Sequence, residues 1–262
     1  MLDCKVAVIG YGTVGRHLCK EISPLNPDVY DKYTDVIIQQ HQKANRWDGS
    51  EKYDFAFICV DTPLKENGVD LDTSEVASAI HNTNAEIYII KSTCPVGFTN
   101  TLAHFVHKRI VYCPEYYGGT QHCNNYEFNF TILGGTKKDC AEVQQLLQHC
   151  YDARHIFHVT DHDTAELVKF MENAWIATKV SFCNQFYDIA KAHGINYDEL
   201  RELFILDPRV NPSHTFVYTD APYWDSHCLN KDVPHIANSE ASAEFLRSMI
   251  EFNQGRRNKT SE

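Results

Sequence analysis

Several things are missing from this 262-residue chain, and each absence narrows its function. No run of about 18 apolar residues occurs, so no transmembrane helix is expected. Basic residues are outnumbered, with 24 Lys and Arg against 35 Asp and Glu and a formal charge of -11. Nucleic acid and anionic membrane surfaces both demand a basic face, so neither is expected as a partner. A locally basic pocket for a phosphate stays possible, because net charge says nothing about single clefts. No two cysteines stand in C-x-x-C spacing, which removes the commonest zinc and thioredoxin-like motifs, and no metal is expected. The N-terminal Met1-Leu-Asp-Cys-Lys5 lacks the basic, apolar and small-residue segments of a signal peptide. Internal repeats and low-complexity runs are absent as well.

Cysteine itself is not scarce, with ten residues. A chain this long has no need of disulfide staples, and Cys59 and Cys113 lie in apolar strand-like runs. Free, mostly buried thiols in a reducing compartment follow, and the cytoplasm is the expected location. Cys228 is different, because it lies in a polar stretch followed by Lys231 and Asp232.

What is present is an alternation of short apolar runs with helical patterns. Lys5–Gly10, Asp28–Asp31, Phe55–Val60, Glu86–Lys91, Arg109–Cys113, Phe128–Leu133 and His155–Val159 read as strands. Helical segments are expected near Val14–Ile22, Thr73–His81, Thr99–His107 and Lys138–Cys150. Strands alternating with helices imply βαβ units and a mainly parallel sheet covered on both faces. The pattern changes near residue 160. Asp161 to His193 reads as one long helix, with Leu167, Phe170, Ala174, Ala177 and Ser181 on its apolar side and Gly194 as its cap. A helix over Tyr197–Leu206, a loop over Pro208–Pro222 and a last helix over Glu240–Phe252 follow. The expected domains are a nucleotide-binding α/β domain over 1–160, a helical domain over 161–254 and a disordered tail over 255–262.

Gly10-Tyr-Gly12-Thr13-Val14-Gly15 follows an apolar strand and opens a helix. That context turns a weak G-x-G-x-x-G match into a dinucleotide fingerprint. Gly10 would permit the tight turn, Gly12 the approach of a pyrophosphate, and Gly15 the packing of helix on strand. Thr13 and Val14 bring the helix N-terminus to the phosphates. Asp31 ends the second strand at the spacing of the acid that holds ribose hydroxyls, and its charge favours NAD over NADP. Val60, Thr62 and Thr93 fall at strand ends that line the ligand crevice of such a sheet. The fold class is thus α/β, an N-terminal Rossmann-type domain followed by a helical domain with a long central helix. FAD or an S-adenosylmethionine-type ligand is the competing reading of the glycines alone.

Six segments together resemble the UDP-glucose/GDP-mannose dehydrogenase family. They are Gly10–Gly15, Ile58-Cys-Val-Asp-Thr-Pro63, Lys91-Ser-Thr-Cys-Pro-Val-Gly97, Pro114-Glu-Tyr116, the run Ala165–Ser181, and Cys228-Leu-Asn-Lys-Asp232, in the family's order. The resemblance implies NAD-dependent oxidation of a nucleotide-sugar primary alcohol in two hydride transfers, in nucleotide-sugar metabolism and polysaccharide biosynthesis. Cys228 would form the thiohemiacetal and thioester, a role suited to a thiolate that attacks and then leaves. Lys169 and Asn173, four apart on the long helix, would bind the reacting alkoxide oxygen. Asp232 and Thr93 would position water, and Glu115 would act as the hydrolytic base. Lys231 would favour the thiolate and contact the cofactor, and Arg209 would contact substrate. A homodimer through the long helix is implied too.

Three departures shape the expectation. Gly119 stands where the family has a second glutamate, which would fit release of an aldehyde. Tyr223 and Trp224 replace a glycine-rich loop before the cysteine. The chain ends about where a third, nucleotide-binding domain would begin, so a partner chain could supply it or the substrate could be smaller. Two other readings are kept: a β-hydroxyacid dehydrogenase, which shares the Lys-x-x-x-Asn helix but uses no cysteine, and a degenerate NAD-binding partner subunit without turnover.

Overall fold

The computed structural model describes residues 4–32, 51–117 and 128–260. Gly119, the position of the missing glutamate, lies outside them. The described residues form two compact units. The first comprises 4–32, 51–63, 71–117 and 128–169, and the second comprises 64–70 and 170–260. The division between the two units falls between Lys169 and Phe170.

The first unit is a seven-stranded sheet in the order β2-β1-β3-β4-β5-β6-β7. Its strands are β1 (Val6–Ile9), β2 (Asp28–Tyr30), β3 (Lys52–Ile58), β4 (Asn84–Ile90), β5 (Arg109–Tyr112), β6 (Phe130–Gly134) and β7 (Ile156–Thr160). The first five are parallel, β6 meets β5 antiparallel, and β7 runs parallel to β6. Strand side chains alternate between faces, and here both faces are buried. Val6, Val8, Phe57, Ile87, Ile89 and Val111 form one core. Helices α1 (Thr13–Glu21) and α4 (Lys137–Leu147) cover it with Leu18, Val143 and Leu146. Ala7, Ile9, Ile58, Tyr88, Ile90 and Ile110 form the other core, covered by α2 (Ser74–Asn82) and α3 (Phe98–Val106). This two-sided burial explains why the strands read as continuous apolar runs.

The second unit is helical. It holds most of α5 (His162–Ala192), then α6 (Tyr197–Phe204), α7 (Leu229–Ser239) and α8 (Glu244–Thr260). Helix α5 ends at Ala192, and Gly194 just beyond it, with a positive φ of 68°, supplies the expected left-handed cap. Ala177, Trp224, Leu229, Val233 and Met249 make the core, with Ile176, Val180, Leu246 and Ile250 packed against it.

Three sequence expectations are corrected. Helix α7 was not anticipated, because interior Pro234 together with Asn230 and Asp232 argues against a helix. Leu167 is not on the buried stripe of α5, whereas Phe170, Ala177 and Ser181 are. The expected disordered tail is helical as far as Thr260. Side chains from that stretch are tied to the segment before Cys228, which a pattern of local polarity does not reveal.

Candidate functional site

In the first unit the glycine turn follows β1. Gly10 sits at φ 97°, and a Cβ there would lie 2.5 Å from the Cys59 carbonyl oxygen. At Gly15 a Cβ would overlap the Gly10 carbonyl. Both glycines are therefore required by the protein itself. Gly12 is not: a Cβ there meets nothing within 4 Å. Gly12 thus leaves open space at the start of α1, the place where a pyrophosphate would meet free N–H groups and the positive helix end. Asp31 lies just beyond β2, and its Oδ2 accepts a hydrogen bond from the Tyr11 N–H at 2.7 Å. The acid expected to face the ribose is thereby held against the turn.

The strand order reverses between β1, with β2 on one side, and β3 on the other, which makes a topological switch point. Val60 and Thr62 follow β3 there. The Val60 carbonyl accepts from Ser92 Oγ at 2.7 Å, which joins the ends of β3 and β4. Thr62 and Thr93 are both buried. A glycine turn at a switch point with an acid beside it defines a dinucleotide-binding domain, and the residues fit that ligand.

After β5, Glu115 is buried and meets Lys169 of α5, with Nζ and Oε1 3.5 Å apart. The other oxygen, Oε2, accepts the Tyr117 N–H at 2.9 Å. Lys169 Nζ also lies 5.2 Å from the Tyr116 ring centre. Lys169 is only 4% exposed, so it is not a solvated surface charge. A desolvated cation of this kind costs free energy unless paired, and Glu115 pairs it.

The second unit carries another buried polar group. Asn173 Nδ2 donates to Asp232 Oδ2 at 2.7 Å, and Lys231 Nζ donates to Asp232 Oδ1 at 2.7 Å. Asp232 is fully buried. Cys228 stands at the N-cap of α7, and its carbonyl accepts the Asp232 N–H at 2.9 Å. The residue therefore stands at the positive end of a helix, half-buried. The other described thiols have quieter settings. Burial pushes Cys19, Cys140 and Cys150 up to about 11, and it raises Cys59 and Cys113 as well. Such thiols stay protonated and unreactive at neutral pH.

Not every expected residue joins these groups. Arg209 is exposed and folds back on Asp207, with a 2.6 Å ion pair. Trp224 does not line an open loop but is buried in the helical core. Conversely, Glu166 of α5 escaped notice in the sequence. It is buried, and it accepts the N–H groups of Gly97 and Thr99 at 2.6 and 2.8 Å, which caps α3. Burial pushes its carboxyl up to about 7, against the two donors that favour the charged form. The partners are nearly 70 residues distant, so only a missing local cap on α3 hinted at it. Lys91, also buried, donates to Cys113 Sγ at 3.5 Å.

Comparison with known proteins agrees with this geometry. Residues 28–154 match the UDP-glucose/GDP-mannose dehydrogenase family, NAD binding domain, and residues 163–255 match the same family's central domain. The chain belongs to this family, and its nucleotide cofactor is NAD. A UDP-N-acetyl-D-mannosamine dehydrogenase from Methanococcus vannielii is 28% identical over 78% of this chain and 49% of its own length. A UDP-glucose 6-dehydrogenase from Rickettsia felis is 26% identical over 90% of this chain and 58% of its own. The structure of the UDP-D-ManNAc dehydrogenase from Pyrococcus horikoshii superposes with a TM-score of 0.80 at 24% identity, covering 96% of this chain and 68% of that one. The chain spans about half the length of the curated relatives it matches. Among the described residues, no helix is long and apolar enough to cross a membrane.

Proposed function

We propose that this chain oxidises the primary alcohol of a nucleotide sugar with NAD, through a covalent intermediate on Cys228. The observation that carries this reading is the buried Asn173–Asp232–Lys231 network, whose Asp232 backbone is hydrogen-bonded to Cys228. Three polar side chains taken out of water at the head of one helix are an expensive arrangement for stability alone. Family membership supports the same reaction. The names of the relatives also differ in their sugar, so the sugar is chosen by experiment.

Bound NAD supplies a hydride acceptor for each oxidation step. Gly10, Gly12, Thr13, Val14 and Gly15 would hold its pyrophosphate, Asp31 its ribose, and Val60, Thr62, Thr93 and Lys231 the remainder. Lys169 and Asn173 would bind the substrate oxygen, the Lys169 ammonium donating to it and stabilising the developing alkoxide as the hydroxyl proton leaves to water and the alcohol becomes an aldehyde. The Cys228 sulfur would then add to the aldehyde carbon to give a thiohemiacetal, and its oxidation would leave a thioester. Water held by Asp232 and Thr93 would cleave that thioester, with Glu115 taking the proton and Cys228 leaving as thiolate. Arg209, exposed on the surface, would reach substrate from there.

A homodimer through α5 fits its exposed apolar stripe. Trp175, Phe182 and Ile189 recur every seven residues, with Met171 and Phe186 beside them, and all are exposed. A stripe of that period is the mark of a helix that packs on another. The nucleotide end of the substrate would be held by a further domain or a partner chain. The cytoplasm suits the unbridged thiols.

The test is NADH formation across UDP- and GDP-sugars and small β-hydroxyacids, with wild type and Cys228→Ala. Turnover of a sugar nucleotide should fall at least about 1,000-fold in the variant. Two NADH per sugar indicate acid as product, and one indicates aldehyde release. Unaltered turnover of a hydroxyacid by Cys228→Ala would replace this reading with a hydroxyacid dehydrogenase. NAD binding without turnover of any of them would make the chain a partner subunit.

A further inference from the structure

The segment that delivers Cys228 to α7 is tied down from α8. Asn253 is buried, and its side-chain amide reads the Trp224 peptide on both sides. Its Oδ1 accepts the Trp224 N–H at 2.9 Å, and its Nδ2 donates to the Trp224 carbonyl at 3.0 Å. An amide is the side chain that offers an acceptor and a donor in this pairing. The Trp224 indole fills the helical core and donates to Ser181 Oγ on α5 at 3.1 Å.

The flanking residues are held by the same helix. Arg256 Nε donates to the Pro222 carbonyl at 2.6 Å while its guanidinium also pairs with Asp188. Arg257 pairs with Asp225 at 3.1 Å. Asp225 and Ser226 then connect directly to α7. Asn230 Nδ2 donates to Asp225 Oδ1 at 2.5 Å, and the Leu229 N–H donates to Ser226 Oγ at 3.2 Å. A continuous series of bonds thus runs from Asn253 through Trp224 to the first turn that carries Cys228. Bulky residues here do the work of fixing the segment, where a glycine-rich loop would bend.

We propose that Asn253 is a positioning residue for Cys228, acting through the Trp224 peptide. It rests on the reading of Cys228 as nucleophile, but it concerns the placement of the thiol and is measured without turnover. By holding Trp224 in the middle of this segment, Asn253 keeps Cys228 at the positive end of α7, where a thiolate is favoured.

The experiment is site-resolved alkylation of Cys228 by iodoacetamide across pH, read by peptide mass spectrometry with Cys4 as the internal reference. It uses the full chain with Asn253→Asp, which keeps the shape and removes the Nδ2 donor. The midpoint of Cys228 alkylation should move up by about one pH unit toward that of an ordinary free thiol, while the Cys4 profile stays fixed. Arg256→Ala, at a more exposed position, should move it the same way by less, and it serves if Asn253→Asp does not fold. An unchanged Cys228 profile in a folded variant overturns the proposal. So does an equal shift at Cys4, which would report general loosening. Survival of catalysis in Cys228→Ala would defeat the catalytic reading and leave this test standing.

Discussion

The two units solve different placement problems with different atoms. In the first, the proposed cofactor turn is made of main chain: Gly10 and Gly15 are required because a Cβ would strike a neighbouring carbonyl, and Gly12 leaves open space where the proposed ligand would sit. In the second, the cysteine segment is made of side chains: Trp224 is set in the core, Asn253 reads its peptide, and arginines of α8 hold its flanks. The first device leaves a local signature, since conformational limits act on the residue itself. The second depends on partners far along the chain and leaves none. The difference also predicts how each unit fails.

The largest expected effect lies in the second unit. Trp224→Ala empties the centre of the helical core and removes the bond to Ser181, and it should cost about 3–5 kcal/mol in denaturant unfolding. NAD affinity of the folded fraction should fall far less than stability, because the glycine turn belongs to the other unit and only Lys231 would reach the cofactor from this one. A fall in NAD affinity matching the loss of stability would break the comparison.

A smaller effect, in the first unit, depends on pH. Glu166 has its folded carboxyl raised from 4.5 to about 7 by burial, with Asp163 adding to the rise. The folded state therefore holds a proton that the unfolded chain has lost between those values. Its stabilisation is complete below about 4.5 and disappears as pH rises through 7. Wild type should lose on the order of 2 kcal/mol across this window relative to Glu166→Gln. A flat difference between the two from pH 4.5 to 7.5 would show that the Gly97 and Thr99 N–H groups keep the carboxylate charged throughout.

Much of the first unit was legible in the sequence for physical reasons. Strands buried on both faces read as apolar runs, and the glycine turn carries its steric demands in three residues. The pairing of Lys169 with Glu115 was half legible: both were singled out, but nothing local showed that they meet. In the second unit, Pro234 hid α7 by its breaker character, and polar residues after Gly255 concealed the end of α8. Trp224 was read as loop because its core partners, Ser181 and Met249, lie on other helices. Glu166 stayed hidden because a cap supplied from another helix has no sequence spacing. Legibility therefore tracks the distance along the chain between a residue and what it serves.

The central claim is that the dinucleotide site is built by backbone in this chain, with Gly12 reserved for the ligand. The direct measurement is a calorimetric titration of NAD and NADP into wild type and Gly12→Ala, with melting curves of both. Wild type should bind NAD, and NADP more weakly because of Asp31. Gly12→Ala should melt with wild type, since its Cβ meets nothing within 4 Å, and should lose at least about tenfold in NAD affinity, or roughly 1.4 kcal/mol. A folded wild-type chain that binds no NAD, or a Gly12→Ala variant that binds it equally well, would contradict the account.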